Sequence, residues 1–323
     1  MSTLLAPACA ILPTWFTGGV DLLDELRTLI LRHAAGQRGH SVPLIDGVQI
    51  SRRDEANGPT AGMAKPSVAI VASGVKQTLL NGVPYEYRAG QFLVTSLDLP
   101  VIGQALKASP DEPFAVVSLR LDPLEIAPLL LETPPRPPQY GGLVVSDATP
   151  ELLDPVVRLL RIADRPDDVR VLAPGIRQEI LWRLLTGEQG ALVRQIGLAD
   201  GMLAHISQAI RWIRRHYSEP ILVAELADLA GMSQSTFHRH FRAATSMTPI
   251  QFQKQIRLQE ARVLLRTQAA TAADVGFRVG YTSAAHFTRE YHKAFGRTPG
   301  EDRTTTTSPT RPSASSSCPP ASA

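Results

Sequence analysis

Cysteine is nearly absent from this 323-residue chain, which contains only Cys9 and Cys318, both near its ends. Two such residues can build neither a disulfide framework nor a cysteine-based metal site. We therefore expect the protein to work in a reducing compartment, the cytoplasm. The apolar start, residues 4–12, contains Pro7 and follows no basic segment, which argues against a signal peptide.

Histidine is missing over a long central stretch, between His40 and His205. A metal-binding β-barrel needs clustered His and carboxylate ligands, so we expect no metal and no cofactor there. No run of 18 apolar residues occurs, so we also expect no membrane partner. Residues 1–202 lack a nucleophile elbow, a P-loop and a dinucleotide fingerprint, which argues against a catalytic site.

A repeat is present near the C-terminus, where a second copy lies 49 or 50 residues after the first. Each copy offers a glycine to end one helix and a serine to cap the next. The glycines are Gly231 and Gly280, and the serines are Ser233 and Ser283. The second copy has one extra residue in its turn. This pattern is typical of two helix-turn-helix units, each with a second helix that reads DNA.

The region around the repeat is helical and basic. Apolar residues recur every three or four positions over 203–217, and again after Pro249, where a long helix would connect the two copies. If that helix holds the two reading helices roughly 34 Å apart, each can enter a successive major groove. Residues 203–300 hold 13 Lys and Arg against 6 Asp and Glu, whereas residues 1–202 hold 18 against 22. Such asymmetry favours a phosphate-binding module joined to a module of another kind.

Two simpler interpretations of the repeat stay open. Helical hairpins with glycine turns also occur in plain bundles, and basic faces are often only solvated surface. The matched Arg239 and Arg289 after each serine cap favour DNA binding.

The motifs V-A-E-L-A-D-L-A-G-M-S-Q-S-T-F-H-R-H-F and D-V-G-F-R-V-G-Y-T-S-A-A-H-F-T-R-E-Y-H-K-A-F-G-R-T-P strongly resemble the AraC/XylS family of bacterial transcription regulators. The resemblance implies promoter DNA and RNA polymerase as partners. Two residues depart from the family pattern: Gly276 replaces a usual Ala, and Ser246 a usual Gly. A helix-interior glycine costs about 0.5 to 1 kcal/mol, so we expect Gly276 to loosen the second copy.

The resemblance also implies which side chains face DNA. They are Gln234, Ser235, His238 and Arg239 in the first copy, and Ala284, Ala285, His286, Thr288 and Arg289 in the second. Arg pairs with guanine and Gln with adenine, whereas Ala offers only a methyl contact, so the first copy should discriminate better. Each Arg could instead clamp a phosphate. The aromatic residues Phe237, Phe241, Phe287 and Tyr291 are predicted to be core.

Between residues 43 and 131 the pattern changes to short alternating strands, clearest at 67–72, 92–96 and 115–121. Asn81-Gly82 is a strong hairpin signal. A cupin-like β-barrel or sandwich is predicted. Its interior either encloses a small molecule, with Lys76, Tyr85 and Tyr87 as candidate ligand-binding residues, or is filled and purely structural.

This N-terminal half is similar to the N-terminal domain of one AraC-type subgroup. The matching segments are G-V-K at 74–76, Y-E-Y-R-A-G-Q-F-L-V-T-S-L-D-L-P at 85–100 and E-I-L-W-R-L-L-T-G-E-Q-G at 179–190. The resemblance implies a sensory or dimerising domain without naming an effector. Helical spacing at 151–163 and 175–185, with a break at 164–168 and a joint at 191–200, predicts the connection to the DNA-binding module.

These observations predict an α+β protein with five segments: an N-terminal helical extension (1–40), a β-barrel sensory domain (41–135), a helical linker that could dimerise (145–200), an all-α double helix-turn-helix domain (203–300) and a disordered tail (301–323). The predicted function is a transcription regulator, an activator rather than an enzyme, that responds to a small molecule or to homodimerisation. The alternatives are a non-specific architectural DNA-binding protein and an N-terminal enzyme tethered to DNA.

Overall fold

The computed structural model describes residues 21–36, 41–134, 136, 137, 139, 141–198, 201–268 and 270–304. The expectations for residues 1–20, including Cys9 and the absence of a signal peptide, and for the tail beyond 304, including Cys318, lie outside the described residues. Among the residues it covers, no helix is both long enough and apolar enough to cross a membrane.

The N-terminal half begins with helix α1, Leu22–His33, and then forms strands. The strands are β1 Ser41–Ile45, β2 Val48–Arg53, β3 Thr60–Ala64, β4 Ser67–Ser73, β5 Val75–Leu80, β6 Val83–Arg88, β7 Gln91–Thr95, β8 Leu99–Lys107, β9 Phe114–Arg120 and β10 Leu143–Asp147. The three strands predicted most clearly from the sequence correspond to β4, β7 and β9. Asn81 and Gly82 both have positive φ, 51° and 80°, so the predicted hairpin turn joins β5 to β6.

The strands form two antiparallel sheets. A six-stranded sheet has the order β1-β2-β9-β4-β7-β10, and a four-stranded sheet has the order β3-β8-β5-β6. We call them sheet A and sheet B. Of the two architectures predicted, the sandwich is therefore the one adopted, rather than a single closed barrel.

Sheet A is covered on both faces, which explains why its central strands are apolar with little alternation. Helix α1 contacts β2, β4 and β9 on one face. Val68 of β4 pairs with Leu119 of β9, and both are buried. The alternate residues of these strands, including Ala69 and Ser118, face the other way and line a cavity between the sheets.

A helical layer follows the sandwich. It comprises α2 Pro123–Ile126, a 3₁₀ turn Ala127–Glu132, α3 Pro150–Arg161, α4 Pro166–Thr186 and α5 Gly190–Gly197. The predicted break at 164–168 is too long, because α4 begins at Pro166, a residue favoured in a first helical turn. The segment predicted as a joint is mostly helix α5. Arg161 on α3 makes two hydrogen bonds, of 2.6 and 2.7 Å, to the Glu25 carboxylate and so ties α1 to this layer.

The C-terminal part is entirely helical. Its helices are α6 Met202–Arg215, α7 Val223–Leu229, α8 Gln234–Thr245, α9 Pro249–Thr267, α10 Ala272–Arg278, α11 Ala284–Phe295 and α12 Pro299–Thr304. The predicted pattern is confirmed: α7 with α8 forms the first helix-turn-helix, α10 with α11 forms the second, and α9 connects them. The α10–α11 turn is one residue longer than the α7–α8 turn.

Candidate nucleic-acid interface

The first reading helix, α8, begins as its sequence predicts. Gly231 has φ +63° and ends the preceding turn, and Ser233 accepts a hydrogen bond from the backbone N–H of Thr236 at 3.4 Å. The buried side of α8 carries Phe237 and Phe241, both fully buried. The other side exposes the four predicted DNA-facing residues, Gln234, Ser235, His238 and Arg239.

The second reading helix, α11, repeats this arrangement. Ser283 accepts from the His286 N–H at 3.3 Å, as the sequence predicts, and Thr271 and Asp274 cap α10 reciprocally. Phe287 and Tyr291 are fully buried. The outer side exposes Ala285, His286, Thr288 and Arg289, whereas Ala284 is half-buried. The Thr288 hydroxyl donates to its own helix, at the Ala284 carbonyl, 2.9 Å away.

Arg239 and Arg289, the two arginines on the reading helices, are both exposed. Neither Arg239 nor Arg289 forms an ion pair with another residue in the described part of the chain. Both guanidinium groups are therefore available to a phosphate or a guanine edge. Burial lowers the pKa of His240, the residue after Arg239, and the charge of Arg239 lowers it further. The neutral imidazole is therefore favoured at this position.

Packed aromatic rings hold each reading helix. Phe241 lies 5.4 Å from Phe237 and 5.5 Å from Phe252 of α9, measured between ring centroids. In the second unit, Phe287 lies 5.5 Å from Tyr291. A methyl group on Gly276 would come within 2.9 Å of the Phe287 ring. The expectation that Gly276 merely loosens this unit is therefore incomplete. Glycine at this position also leaves the space that the Phe287 ring occupies.

Arg257, on the connecting helix α9, binds both helix-turn-helix units. Its guanidinium donates to the carbonyls of Tyr217 and Glu219, at 2.6 and 3.0 Å, and to the carbonyl of Gly280 at 2.9 Å. The first two carbonyls lie between α6 and α7, in the loop that leads into the first unit, and the third lies in the α10–α11 turn of the second. Burial lowers the pKa of Arg257. This side chain fixes one unit against the other, and no sequence pattern marked it.

The two turn glycines differ in their surroundings. A Cβ at Gly280, where φ is +95°, would lie 2.1 Å from the backbone oxygen of Ser218, whereas a Cβ at Gly231 would meet nothing within 4 Å. The second turn is therefore packed directly on the first unit. Only the shared requirement for positive φ was visible in the repeat.

The last described helix, α12, is anchored by a buried carboxylate. Asp302 is fully buried and accepts from Tyr291 Oη at 2.7 Å, Arg262 Nε at 3.0 Å and Arg266 Nη2 at 3.1 Å. Burial raises the pKa of Asp302, but the hydrogen bonds from Tyr291 and Arg266 and the two arginine charges together lower it below its usual range. Burial, followed by the Asp302 contact, raises the pKa of Tyr291. Asp302 thus joins α12 to both α9 and α11.

A cavity of about 340 Å³ lies between the two sheets of the N-terminal domain. Of the three predicted ligand-binding residues, Lys76 and Tyr87 line it. Tyr85 is half-buried and is not part of the lining. Arg53 and Thr78 also line the cavity, and the sequence analysis missed them. A signal existed for Arg53, because β2 alternates the polar residues Gln49, Ser51 and Arg53 with the apolar Val48 and Ile50.

Sheet B separates this cavity from the DNA-binding module. Thr78 lines the cavity, while its neighbour Leu79 lines a cleft between sheet B and helices α9 and α11. Gln259 of α9 donates to the Gly62 carbonyl of β3 at 3.2 Å. At the tip of the β5–β6 hairpin, Asn81 donates to the Ser246 carbonyl at the end of α8, at 2.8 Å.

Ser246 itself occupies the left-handed region, with φ +60°, where its counterpart Gly296 has φ +67°. Because a side chain is disfavoured there, Ser246→Gly should raise the free energy of unfolding by about 1 kcal/mol. Urea denaturation of the full chain would measure it. The reverse change, Gly296→Ser, has open space around it and should cost a similar amount. A destabilising Ser246→Gly change would show that its side chain contributes more than its strain costs.

Comparisons with known proteins divide the chain in the same way. A family model described as the AraC-type transcriptional regulator N-terminus matches residues 44–192, and a helix-turn-helix domain model matches residues 226–305.

Several characterised relatives are similar over part of the chain. The HTH-type transcriptional activator RhaS of Enterobacter sp. (strain 638) is 30% identical over 115 residues, covering 35% of this chain and 41% of that protein. RhaS of Citrobacter koseri is 27% identical over 140 residues, covering 42% and 49%. The chain thus spans less than half the length of these two relatives.

Two solved structures are also similar to this chain, with TM-scores below 0.5. ToxT from Vibrio cholerae, bound to an unsaturated fatty acid, has a TM-score of 0.49 at 10% identity, covering 81% of this chain and 95% of its own. An AraC-type DNA-binding protein from Chromobacterium violaceum has a TM-score of 0.32 at 25% identity, covering 33% and 95%.

Proposed function

We propose that this chain, as a member of the AraC family of transcriptional regulators, binds a two-part promoter site. We further propose that it changes transcription in response to a small molecule. The C-terminal module would read the site, and RNA polymerase would be its functional partner as an activator. We propose no catalytic role for the N-terminal half and place its action in the cytoplasm.

The observation that carries this proposal is the pair of exposed reading faces. Each reading helix is capped by a serine and held from behind by buried aromatic rings. Each presents outward an exposed arginine that forms no ion pair with a described residue. A second helix so presented is what a major groove accepts. The proposed base-reading residues are Gln234, Ser235, His238 and Arg239, with Ala284, Ala285, His286, Thr288 and Arg289.

The response to a ligand would pass through sheet B. A molecule in the cavity touches the inner side of this sheet, whose outer side and hairpin tip touch α9 and Ser246. A ligand shifts the equilibrium between two arrangements of the domains only if it binds one of them more tightly. The cavity residues Lys76 and Tyr87 are proposed to contact it, with Tyr85 as a neighbour. We propose residues 41–135 as the sensory region and 203–300 as the reading module.

Homodimerisation through the helical layer, residues 145–200, is a further part of the proposal. Helix α4 exposes Val171 and Leu172, which are 66% and 48% accessible. Exposed apolar side chains on a single helix are suited to a second copy of the same helix. Sedimentation of the full chain, with Val171→Glu as the comparison, would decide it.

The experiment that tests the function is sequencing of genomic fragments retained by the purified chain at near-physiological salt, with sheared competitor DNA. A few enriched promoters that share a two-part motif, about one helical turn apart, would support a specific regulator. Uniform retention would favour the architectural alternative, which the basic C-terminal module also suits.

Arg239→Ala should lose about 1 to 3 kcal/mol of binding free energy at one base position of the enriched motif. The measurement is a titration against motif variants changed one base at a time. Arg170→Ala, an exposed charge change on α4, serves as the control and should leave the profile unchanged. Equal weakening on every sequence would identify Arg239 as a phosphate clamp instead.

A further inference from the structure

We infer that the effector carries a negative charge, a carboxylate being the simplest group that fits. This inference rests on the proposed function, because it assigns the sandwich cavity to an effector. It adds the chemical class of that molecule, which neither the fold nor the sequence motifs specify.

The charges around the cavity are of one sign. Its lining includes Lys76 from sheet B and Arg53 from sheet A, and no Asp or Glu. Neither cation forms an ion pair with any residue that the structure describes. The neighbouring Asp54 pairs with Arg52, Nε to Oδ1 at 2.7 Å. Two cations therefore face a partly open cavity whose lining contains no acidic residue.

Lys76 is placed inside by the sheet itself. It lies opposite Tyr87 in the β5–β6 register, and both line the cavity. On the other side it packs along Gly103 of β8, where a Cβ would lie 3.8 Å from the Lys76 Cε, an ordinary contact distance. Lys76 is half-buried as a result. A partly desolvated ammonium gains most from an anion that replaces its lost hydration.

The remaining lining suits the rest of a small organic acid. Thr78, Tyr87, Thr95 and Ser118 offer hydroxyl groups that can donate to a carboxylate or bind an oxygen substituent. Leu93 and Phe114 supply apolar wall for a hydrocarbon body. The volume, about 340 Å³, is near the small end of ligand pockets, so the molecule must be small.

Matched acid and amide pairs test the inference on the full chain. Benzoate with benzamide, and phenylacetate with phenylacetamide, differ mainly in charge. Calorimetric titration should show each acid binding about tenfold tighter than its amide, the value of one charged hydrogen bond. Lys76→Gln should abolish that preference by weakening acid binding to the level of the amide. Lys107→Gln, an exposed change on the same sheet but outside the cavity lining, should retain the preference.

Three results would overturn the inference: equal binding of acids and amides, an acid preference that survives in Lys76→Gln, or no binding of either acid at millimolar concentration. Failure of the proposed function looks different. It would appear as uniform DNA retention by a chain that still selects acids through Lys76.

Discussion

Replacing Asp302 by Ala should lower the free energy of unfolding of the C-terminal module by about 3 kcal/mol, because it leaves two arginines and a buried tyrosine without their shared acceptor. The second helix-turn-helix should loosen first, since Asp302 joins α12 to α9 and α11. Denaturant unfolding, together with binding to each half of the promoter motif, would show stability and second-half binding fall together.

The control for this change is Asp228→Ala, an exposed aspartate on α7. It should change stability by no more than about 0.5 kcal/mol. Asp302→Asn should fall between the two, because the amide can still accept from Tyr291 but carries no charge. Asp302→Ala with wild-type stability would mean that α12 does not contribute to the folded module.

The acid dependence of stability follows from the same site. The pKa of Asp302 is lowered by folding, so its contribution is complete above its unfolded value, about pH 4, and is lost as the pH falls through the lower folded value. Asp302→Asn should remove that component. Unfolding free energies measured between roughly pH 3 and pH 7 should therefore fall less steeply toward acid in the variant.

Gly280→Ala should destabilise the module by about 2 to 5 kcal/mol, whereas Gly231→Ala should cost only about 1 to 2 kcal/mol. Both changes place a side chain at positive φ, which accounts for the smaller figure. At Gly280 the new methyl also collides with the Ser218 carbonyl, and relieving that overlap costs roughly 1 to 3 kcal/mol more. The matched pair separates backbone strain from the packing of one unit on the other.

DNA binding gives this pair a second measurement. In Gly280→Ala the two units can no longer meet at Ser218, and the Arg257 bond to the Gly280 carbonyl is disturbed. Affinity for the two-part site should approach that for a single half, and dependence on the spacing between halves should weaken. If both variants kept the same spacing preference, the contact at Ser218 would not set the separation of the reading helices.

The sequence predicted the C-terminal module well because its signals are local. Caps, turn glycines and apolar spacing act within a few residues, so Ser233, Gly231 and Phe237 could be placed without the fold. Strands β4, β7 and β9 were visible for the same reason. The choice between barrel and sandwich was not, since it depends on which strands pair far along the chain.

What the sequence could not show are contacts between distant segments. Arg257 reads as one of several charges along α9, and Asp302 falls where only a disordered tail was predicted. The Asn81 side chain was assigned to a turn, yet it reaches Ser246, 165 positions away. Lys76 and Tyr87 could be proposed from polarity, but Arg53 enters the cavity only because two sheets face each other.

The exposure of both reading faces has an evolutionary consequence. Gln234, His238 and Arg239 contribute little to the buried core, so exchanging them should alter stability by no more than about 0.5 kcal/mol each. The residues that hold the helices, such as Phe237 and Phe287, lie on the opposite side and can stay constant. If these residues read bases as proposed, a descendant of this protein can acquire new target genes by single substitutions, without first gaining stability to tolerate them.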